Sequence, residues 1–435
     1  MIKNKYITNK QKKEALNKEL TYIGKKQESN LKTLMYYEDA VINELKSIKS
    51  IPSSFLKTGG LKIYTNLDMN AQTILENSMN DNIKNKDLEV ASVMMNPNNG
   101  KVIALIGGKD YSKSQYNRAI SSKRQVGSTM KPFLYYAALE NGFTSSTTFT
   151  SEKTTFTFSE NKTYSPSNYS DTYANKPISM AAAITYSDNI YAVKTHLFLG
   201  EETLVDFAKR IDLSNNLEAI PSLPLGTNEI KLIDMVKGYA TFANLGYTVD
   251  PYFITKVEDS NGNILYKKKE KKDKVLNSSI TYILNELLSN CSSPKFIDYN
   301  TPTCMNIAPI LTKKYAIKTG TTDTDHLIFG YNNDIILGIW NGYDDNKETL
   351  VSDGANMKKM WAYAMENYLK DKEDNWYKTP ENVVGVLVNP ISGELATNDD
   401  KKTILYYIKG TEPSFNDPLD SMIPTIKEQD TTSAQ

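Results

Sequence analysis

Apolar positions recur at helical spacing through the first 50 residues, among many Lys, Glu, Asn and Leu and few aromatics besides Tyr22, Tyr36 and Tyr37. That pattern predicts helices that dock on or lead into something larger. After Pro52 the texture changes. GGLKIYTNLD predicts a short strand, MNAQTILENSMNDNI an amphipathic helix, and EVASVMMNPNNGKVIALIGG a hairpin of two apolar runs turning at Asn99 and Gly100. The middle turns helical, with KPFLYYAALENG closing at Gly142, PISMAAAITYSDNIYAVKTHLFLG closing at Gly200, and EETLVDFAKRI beyond it. Strands return late as AIKTGTT, LIFGY and DIILGIWNGY, then VVGVLVNPISGELA and KTILYYIKG. Strands before and after a helical middle predict an α+β fold whose sheet is assembled from distant segments. The run YKKKEKKDK at 266–274 reads as a solvated loop, and residues 414–435 as a flexible tail.

A length of 435 residues suits one dominant domain of more than about 250 residues with smaller attachments. Lys and Arg total 51, as do Asp and Glu, so no global field favours nucleic acid or an anionic membrane. No apolar stretch approaches the ~18 to 20 residues of a spanning helix, and the charged opening MIKNKYITNKQKKEALNKEL has no apolar core of a signal peptide. Either the protein is cytoplasmic or its membrane anchor lies outside this chain. Cys291 and Cys304 sit in the loop-like SNCSSPKFIDYNTPTCMN, neither at CxxC spacing nor among other metal ligands, so no zinc site is expected. A disulfide closing that loop and two unpaired structural cysteines remain equally open.

Three short motifs follow in order: Ser128-Thr129-Met130-Lys131, Ser187-Asp188-Asn189 and Lys318-Thr319-Gly320-Thr321-Thr322. Each alone is weak, because patterns with two fixed positions arise by chance in most chains of this length. Pro132 is tolerated only in the first turn of a helix, so the helix starts near Ser128. That places the serine at the positive end of the helix dipole, with Lys131 on the same face one turn on. By itself the motif is equally an N-cap serine followed by a surface lysine.

A lysine base must lose its proton, and lowering its pKa from about 10.4 to about 7 takes roughly 4 to 5 kcal/mol. Burial and a second cation supply such a shift, and Lys318 is that cation. Lys131 is then expected to be neutral and to take the Ser128 proton, while Lys318 stays charged and holds an anion. Ser187-Asp188-Asn189 lies in helical context and alone is as well a helix break. In combination Ser187 relays protons between Lys131, Lys318 and a leaving amine, and Asn189 positions Lys131 and a substrate amide. Gly320 lets a substrate backbone lie along the strand, and Thr319 and Thr321, with Thr322 next in the run, offer hydroxyls to a carboxylate. The backbone N–H groups of Ser128 and Thr321 would form an oxyanion hole, in which one donor is often worth roughly 3 kcal/mol. Only His196 and His326 occur, which leaves few bases for a Ser-His-Asp mechanism. His196, inside a helical run, is expected to be packing, and His326 a site-rim or turn residue.

Together these motifs are the signature shared by penicillin-binding proteins and class A β-lactamases. The chain resembles the transpeptidase domain of class A penicillin-binding proteins from about Gly59 to Pro413. The likeness runs through GGLKIYTNLD, NPNNGKVIALIGG, NRAISSKRQVGSTMKPFLYYAALENG, YSPSNYSDTY, SLPLGTNEIKLIDMVKGYATFANLG, GIWNGYDD and YYIKGTEP. KNKYITNKQKKEAL resembles the last helix of the glycosyltransferase domain that precedes the linker in that group. The resemblance therefore implies residues 1–58 as linker with a remnant of that domain, 59–413 as the transpeptidase domain, and an N-terminal anchor outside this chain. It implies a five-stranded antiparallel sheet flanked by helices beside an all-helical subdomain, with the active site between them. The implied reaction is attack of Ser128 on the D-Ala-D-Ala peptide of a peptidoglycan stem, loss of D-alanine and capture by an amine of another stem, at the outer face of the cell membrane. β-Lactams would acylate the same serine, and no cofactor is implied. Family members usually carry Trp where this chain has Leu327, a departure at the floor of the cleft that spares every catalytic position.

Residues 190–317 contain no Glu-x-x-Leu-Asn, the element with which a class A β-lactamase positions its deacylating water. A D,D-carboxypeptidase, which uses water as acceptor, and a penicillin-binding sensor whose acyl-serine signals without turnover remain as alternatives.

Overall fold

Five antiparallel strands stand side by side in the order Ala316–Thr321, Asp325–Tyr331, Ile336–Gly342, Glu89–Met95 and Val102–Ile106. The structure, a computed structural model, describes residues 7–17, 31–52, 54–55, 59–158, 162–214, 216–398 and 401–414. The hairpin expected at Asn99 and Gly100 forms, with Gly100 at φ +81°, and supplies the last two strands of the sheet. Its first strand pairs with Ile336–Gly342, so the sheet closes between segments far apart in sequence. Ala316–Thr321 is left at the edge, where one side of its backbone is open to an extended partner.

Strand alternation divides the core in two. Ile317, Ile328, Leu337 and Ile339 pack against the helices Met69–Asn82 and Val351–Leu369, around the fully buried Trp361. Leu327, Phe329, Tyr331 and Trp340 face the other way, into a larger core built on the helices Lys131–Glu140 and Leu232–Ala243. There the ring of Tyr239 stacks on Phe329 at 4.8 Å, and its hydroxyl donates to Thr129 O at 2.7 Å. The turn that carries Ser128 is thereby pinned to the sheet.

The linker-like helix Leu34–Ser47 lies against this body, with Tyr36 and Tyr37 buried. Tyr37 Oη donates to Val102 O, and Glu44 accepts from the backbone N–H of Phe253 and Ile254. The short strand Lys62–Thr65 pairs with Ile254–Glu258 in a separate sheet. Part of the basic run is ordered rather than loop: Tyr266 and Lys267 end the strand Ile264–Lys267, and Asp273–Lys274 pairs with Tyr247–Thr248. The late pair is Val383–Val388 with Thr403–Ile408. Residues 415–435, most of the tail expected to be flexible, lie outside the described residues. Cys291 and Cys304 form a disulfide, with Cα atoms 5.2 Å apart. Among the described residues, no helix is long and apolar enough to cross a membrane.

Candidate active site

Gly127–Met130 forms a 3-10 turn that runs directly into the helix Lys131–Glu140, and Pro132 falls in its first turn as its missing N–H requires. Ser128 is half-buried on this turn, while Lys131 is buried. The long helical run expected over 177–200 is split. Lys176–Ser179 is a strand, and the helices Met180–Tyr186 and Asn189–Leu199 are separated by Ser187, a left-handed residue at φ 60°, ψ 41°. Asp188 causes the restart by capping the second helix, its carboxylate accepting from Tyr191 N at 2.8 Å. Breaking the helix turns the Ser187 carbonyl and hydroxyl towards Lys131.

Lys131 Nζ donates to Ser187 O and Asn189 Oδ1, each at 2.6 Å, and to Ser187 Oγ at 3.3 Å. Lys318 Nζ donates to the same Ser187 Oγ at 2.9 Å and to Thr319 O at 2.6 Å. Four of the expected residues therefore form one hydrogen-bonded cluster. Among the described residues the Ser128 hydroxyl makes no hydrogen bond, and catalytic contacts of this kind often tighten only with substrate present.

Burial pushes Lys131 down to about 7, against the opposing pull of Asp188. Lys318, expected to keep its charge, is also held well below the ordinary lysine range, first by burial and then by the charges of Lys131 and Lys358. Two ammonium groups converging on one buried hydroxyl repel, so the pair holds one proton more readily than two.

On the edge strand, Lys318 and Gly320 face the helical side, while Thr319 and Thr321 face the other. Gly320 packs tightly on the turn that carries Ser128, since a Cβ there would meet Val126 O at 2.8 Å. A Cβ at Gly127 would lie 3.4 Å from Thr321 N, so the backbone donors of Ser128 and Thr321 belong to adjacent surfaces. Thr322 is engaged in the turn, its hydroxyl accepting from Asp325 N at 3.0 Å and donating to Asp325 Oδ2 at 3.2 Å. Leu327 is buried opposite Gly320 on one side and Trp340 on the other.

His196 is buried, bonded to Ile220 O and pushed down to about 4 by burial, as a packing residue. His326 is neither rim nor turn: it is a buried strand residue whose ring reaches Leu350 O at 3.0 Å and Thr321 Oγ1 at 3.5 Å.

Asn168 was not among the sequence candidates. Its Oδ1 accepts from Asn189 N at 2.7 Å and its Nδ2 donates to Asp188 Oδ2 at 2.7 Å, which fixes the restart after Ser187. The only sequence signal was its place in YSPSNYSDTY, one of the segments that carried the resemblance.

A five-stranded antiparallel sheet of this order, with Ser128, Lys131 and Ser187 brought from helical segments to Lys318 on its edge strand, is the arrangement of a penicillin-binding transpeptidase fold. Residues 90–367 match the family described as the penicillin binding protein transpeptidase domain. The chain is 37% identical over 418 residues to penicillin-binding protein 2D of Bacillus subtilis, a match covering 95% of this chain and 60% of that protein. It is 31% identical over 333 residues to penicillin-binding protein 1A of Aquifex aeolicus, covering 75% of this chain and 44% of that one. The chain thus spans about half the length of these curated relatives. The solved structure of penicillin-binding protein 1A from Haemophilus influenzae superposes with a TM-score of 0.81 at 20% identity, over 95% of this chain and 80% of that one. PonA1 of Mycobacterium tuberculosis, solved in complex with penicillin V, superposes with a TM-score of 0.68 at 23% identity, over 79% and 95%. The chain belongs to the penicillin-binding protein transpeptidase family, and its structural neighbours are class A members.

Proposed function

We propose that this cleft is a D,D-transpeptidase site, acylated at Ser128 by the D-Ala-D-Ala end of a peptidoglycan stem and deacylated by an amine of a second stem. The observation that carries it is the shared contact of Lys131 and Lys318 on Ser187 Oγ. Beside Ser128 this makes one chain of proton-exchanging groups. As the bond from Ser128 Oγ to the peptide carbon forms, neutral Lys131 takes the hydroxyl proton, and the N–H groups of Ser128 and Thr321 hold the oxyanion. Ser187 passes the proton to the departing nitrogen, and D-alanine leaves as an amine. Attack by the acceptor amine reverses the transfers. A substrate carboxylate near Lys318 keeps the shared proton on Lys318, which leaves Lys131 free to act as base.

Asp188, between Ser187 and Asn189, is committed to holding the helix restart rather than to the reacting groups. Its oxygens accept from Tyr191 N, Asn168 Nδ2 and Ser151 Oγ. The disulfide fits an oxidising compartment, in keeping with action at the outer face of the cell membrane. The catalytic unit spans residues 59–413, and the helix Leu34–Ser47 is a linker docked on it. β-Lactams acylate the same serine.

Intact mass after incubation with a penicillin tests the acyl-enzyme: one adduct is expected on the wild type and none on Ser128→Ala. An adduct retained in the variant would falsify the assignment. D-Alanine release coupled to transfer onto an added amine marks a transpeptidase, release alone a carboxypeptidase, and a stable adduct without release a sensor.

A further inference from the structure

Asp325 is a buried carboxylate, 2% exposed, that the proposed mechanism does not use. It begins the second strand of the sheet, just after the turn that follows the Lys318–Thr322 run. Its Oδ1 accepts from Arg124 Nε at 2.7 Å and from Trp340 Nε1 at 2.6 Å. Its Oδ2 accepts from Thr322 Oγ1 at 3.2 Å and Thr324 Oγ1 at 2.6 Å. Its backbone is bonded to Thr322 as well, through Thr322 N to Asp325 O at 2.9 Å. One carboxylate thus gathers donors from three separate segments.

Two of those segments carry the oxyanion donors. Arg124 lies in the strand Lys123–Gln125, which leads through Val126 and Gly127 to Ser128. Thr322 directly follows Thr321. Among the described residues, no backbone hydrogen bond runs directly between Gly127–Met130 and Ala316–Thr321, so the spacing of Ser128 N and Thr321 N depends on side chains and packing. The third donor, Trp340, makes the anchor rigid: its ring lies 5.2 Å from the Arg124 guanidinium carbon, and it sits in a central strand.

We infer that Asp325 is a positioning residue that clamps the two halves of the oxyanion hole at their working distance through Arg124 and Thr322. This rests on the reading of Ser128 as the acylated nucleophile. A carboxylate is suited to the task because it accepts at both oxygens. A carboxamide of the same shape keeps one acceptor and presents N–H groups to the remaining hydroxyl or guanidinium donors. A loosened hole polarises the ester carbonyl of the acyl-enzyme less, a signature that mere loss of stability does not give.

The test is to acylate wild type, Asp325→Asn and Arg124→Gln with a penicillin carrying 13C at the β-lactam carbonyl. Acylation rate, the infrared frequency of the ester carbonyl and the melting temperature are then measured for each. Asp325→Asn is expected to acylate about 10- to 100-fold more slowly, with the carbonyl band at higher frequency. Arg124→Gln should shift the band the same way by less. Wild-type rate and frequency in a folded Asp325→Asn overturn the clamp. If Asp325→Asn does not fold, an unshifted band in Arg124→Gln overturns it. A wild type that takes no adduct refutes the acyl-serine reading itself, and the clamp with it.

Discussion

Lys131 and Lys318 reach the same hydroxyl from opposite walls of the cleft, one from the nucleophile helix and one from the sheet edge, at 3.3 Å and 2.9 Å from Ser187 Oγ. Neither wall holds a carboxylate bonded to either ammonium among the described residues. The pair therefore has little to offset its burial, and both amines are held below the ordinary lysine range.

The pH dependence of acylation follows from Lys131, pushed down to about 7 by burial. Below that value it holds its proton and cannot accept another, so the acylation rate should rise with pH through an apparent pKa near 7 that belongs to the coupled pair. Lys131→Arg, which cannot deprotonate, should lower the rate by about 10²- to 10⁴-fold and abolish that limb. Stopped-flow acylation by a chromogenic cephalosporin across pH decides it. The folded state has lost a proton that the unfolded lysine keeps up to its ordinary range. Stability should therefore rise as pH climbs from about 7 towards 10.5, and less so in Lys131→Met.

Ser187 separates function from stability. Both Ser187→Ala and Ser187→Gly remove the shared acceptor, and each is expected to slow acylation by at least about 10-fold. At φ 60° only glycine is free of the steric cost of a Cβ, about 1 kcal/mol, so Ser187→Gly should melt above Ser187→Ala. Equal melting temperatures would argue against strain at this position, and wild-type acylation in either variant against the relay.

Much of this was legible in the sequence, for reasons tied to particular residues. Pro132 located the start of the helix that follows Ser128, Asn99 and Gly100 the hairpin, and the motif residues Lys131, Ser187, Asn189 and Lys318 the cluster, because each signal is local. The sheet order was not readable by pattern alone: Ile336–Gly342 pairs with Glu89–Met95 across more than half the chain, and came only through the family resemblance. Periodicity alone runs through the helix break, since Tyr186 and Ile190 continue the apolar spacing across Ser187, but Ser187-Asp188-Asn189 read equally as such a break. Asn168 and Asp325 escaped because their partners are distant in sequence, and a lone Asn or Asp in a turn reads as turn chemistry.

The disulfide should be stabilising. It closes a loop that is also tied to the catalytic region, with Thr303 N donating to Thr185 O two residues before Ser187. Constraining a loop of this size in the unfolded chain is worth about 3 kcal/mol. Cys291→Ser with Cys304→Ser should lose about that much in urea unfolding. Reductant should lower the melting temperature of the wild type and leave the double variant unchanged. A wild type indifferent to reductant would show that the bond contributes nothing to stability.

Gly226 offers a test of how the nucleophile turn is seated. It follows the 3-10 turn Leu223–Leu225 at φ +72°, and its carbonyl accepts from Gly127 N at 3.1 Å. A Cβ at Gly226 would fall 2.0 Å from Gly127 O and 2.4 Å from Gly127 N, backbone atoms that cannot rotate away. Gly226→Ala therefore has to displace the residue immediately before Ser128. The expected cost is about 1 to 3 kcal/mol from overpacking, added to about 1 to 2 kcal/mol for the left-handed backbone. Gly142→Ala provides the control, since Gly142 is also left-handed, at φ +93°, with nothing within 4 Å of its would-be Cβ. It bears the backbone cost without the clash. Acylation should fall at least about 10-fold in Gly226→Ala and stay at the wild-type rate in Gly142→Ala, because only the former moves the Ser128 N–H out of the oxyanion hole. Should both variants acylate at the same rate, the close approach of Gly226 to Gly127 would be a packing detail with no bearing on the nucleophile.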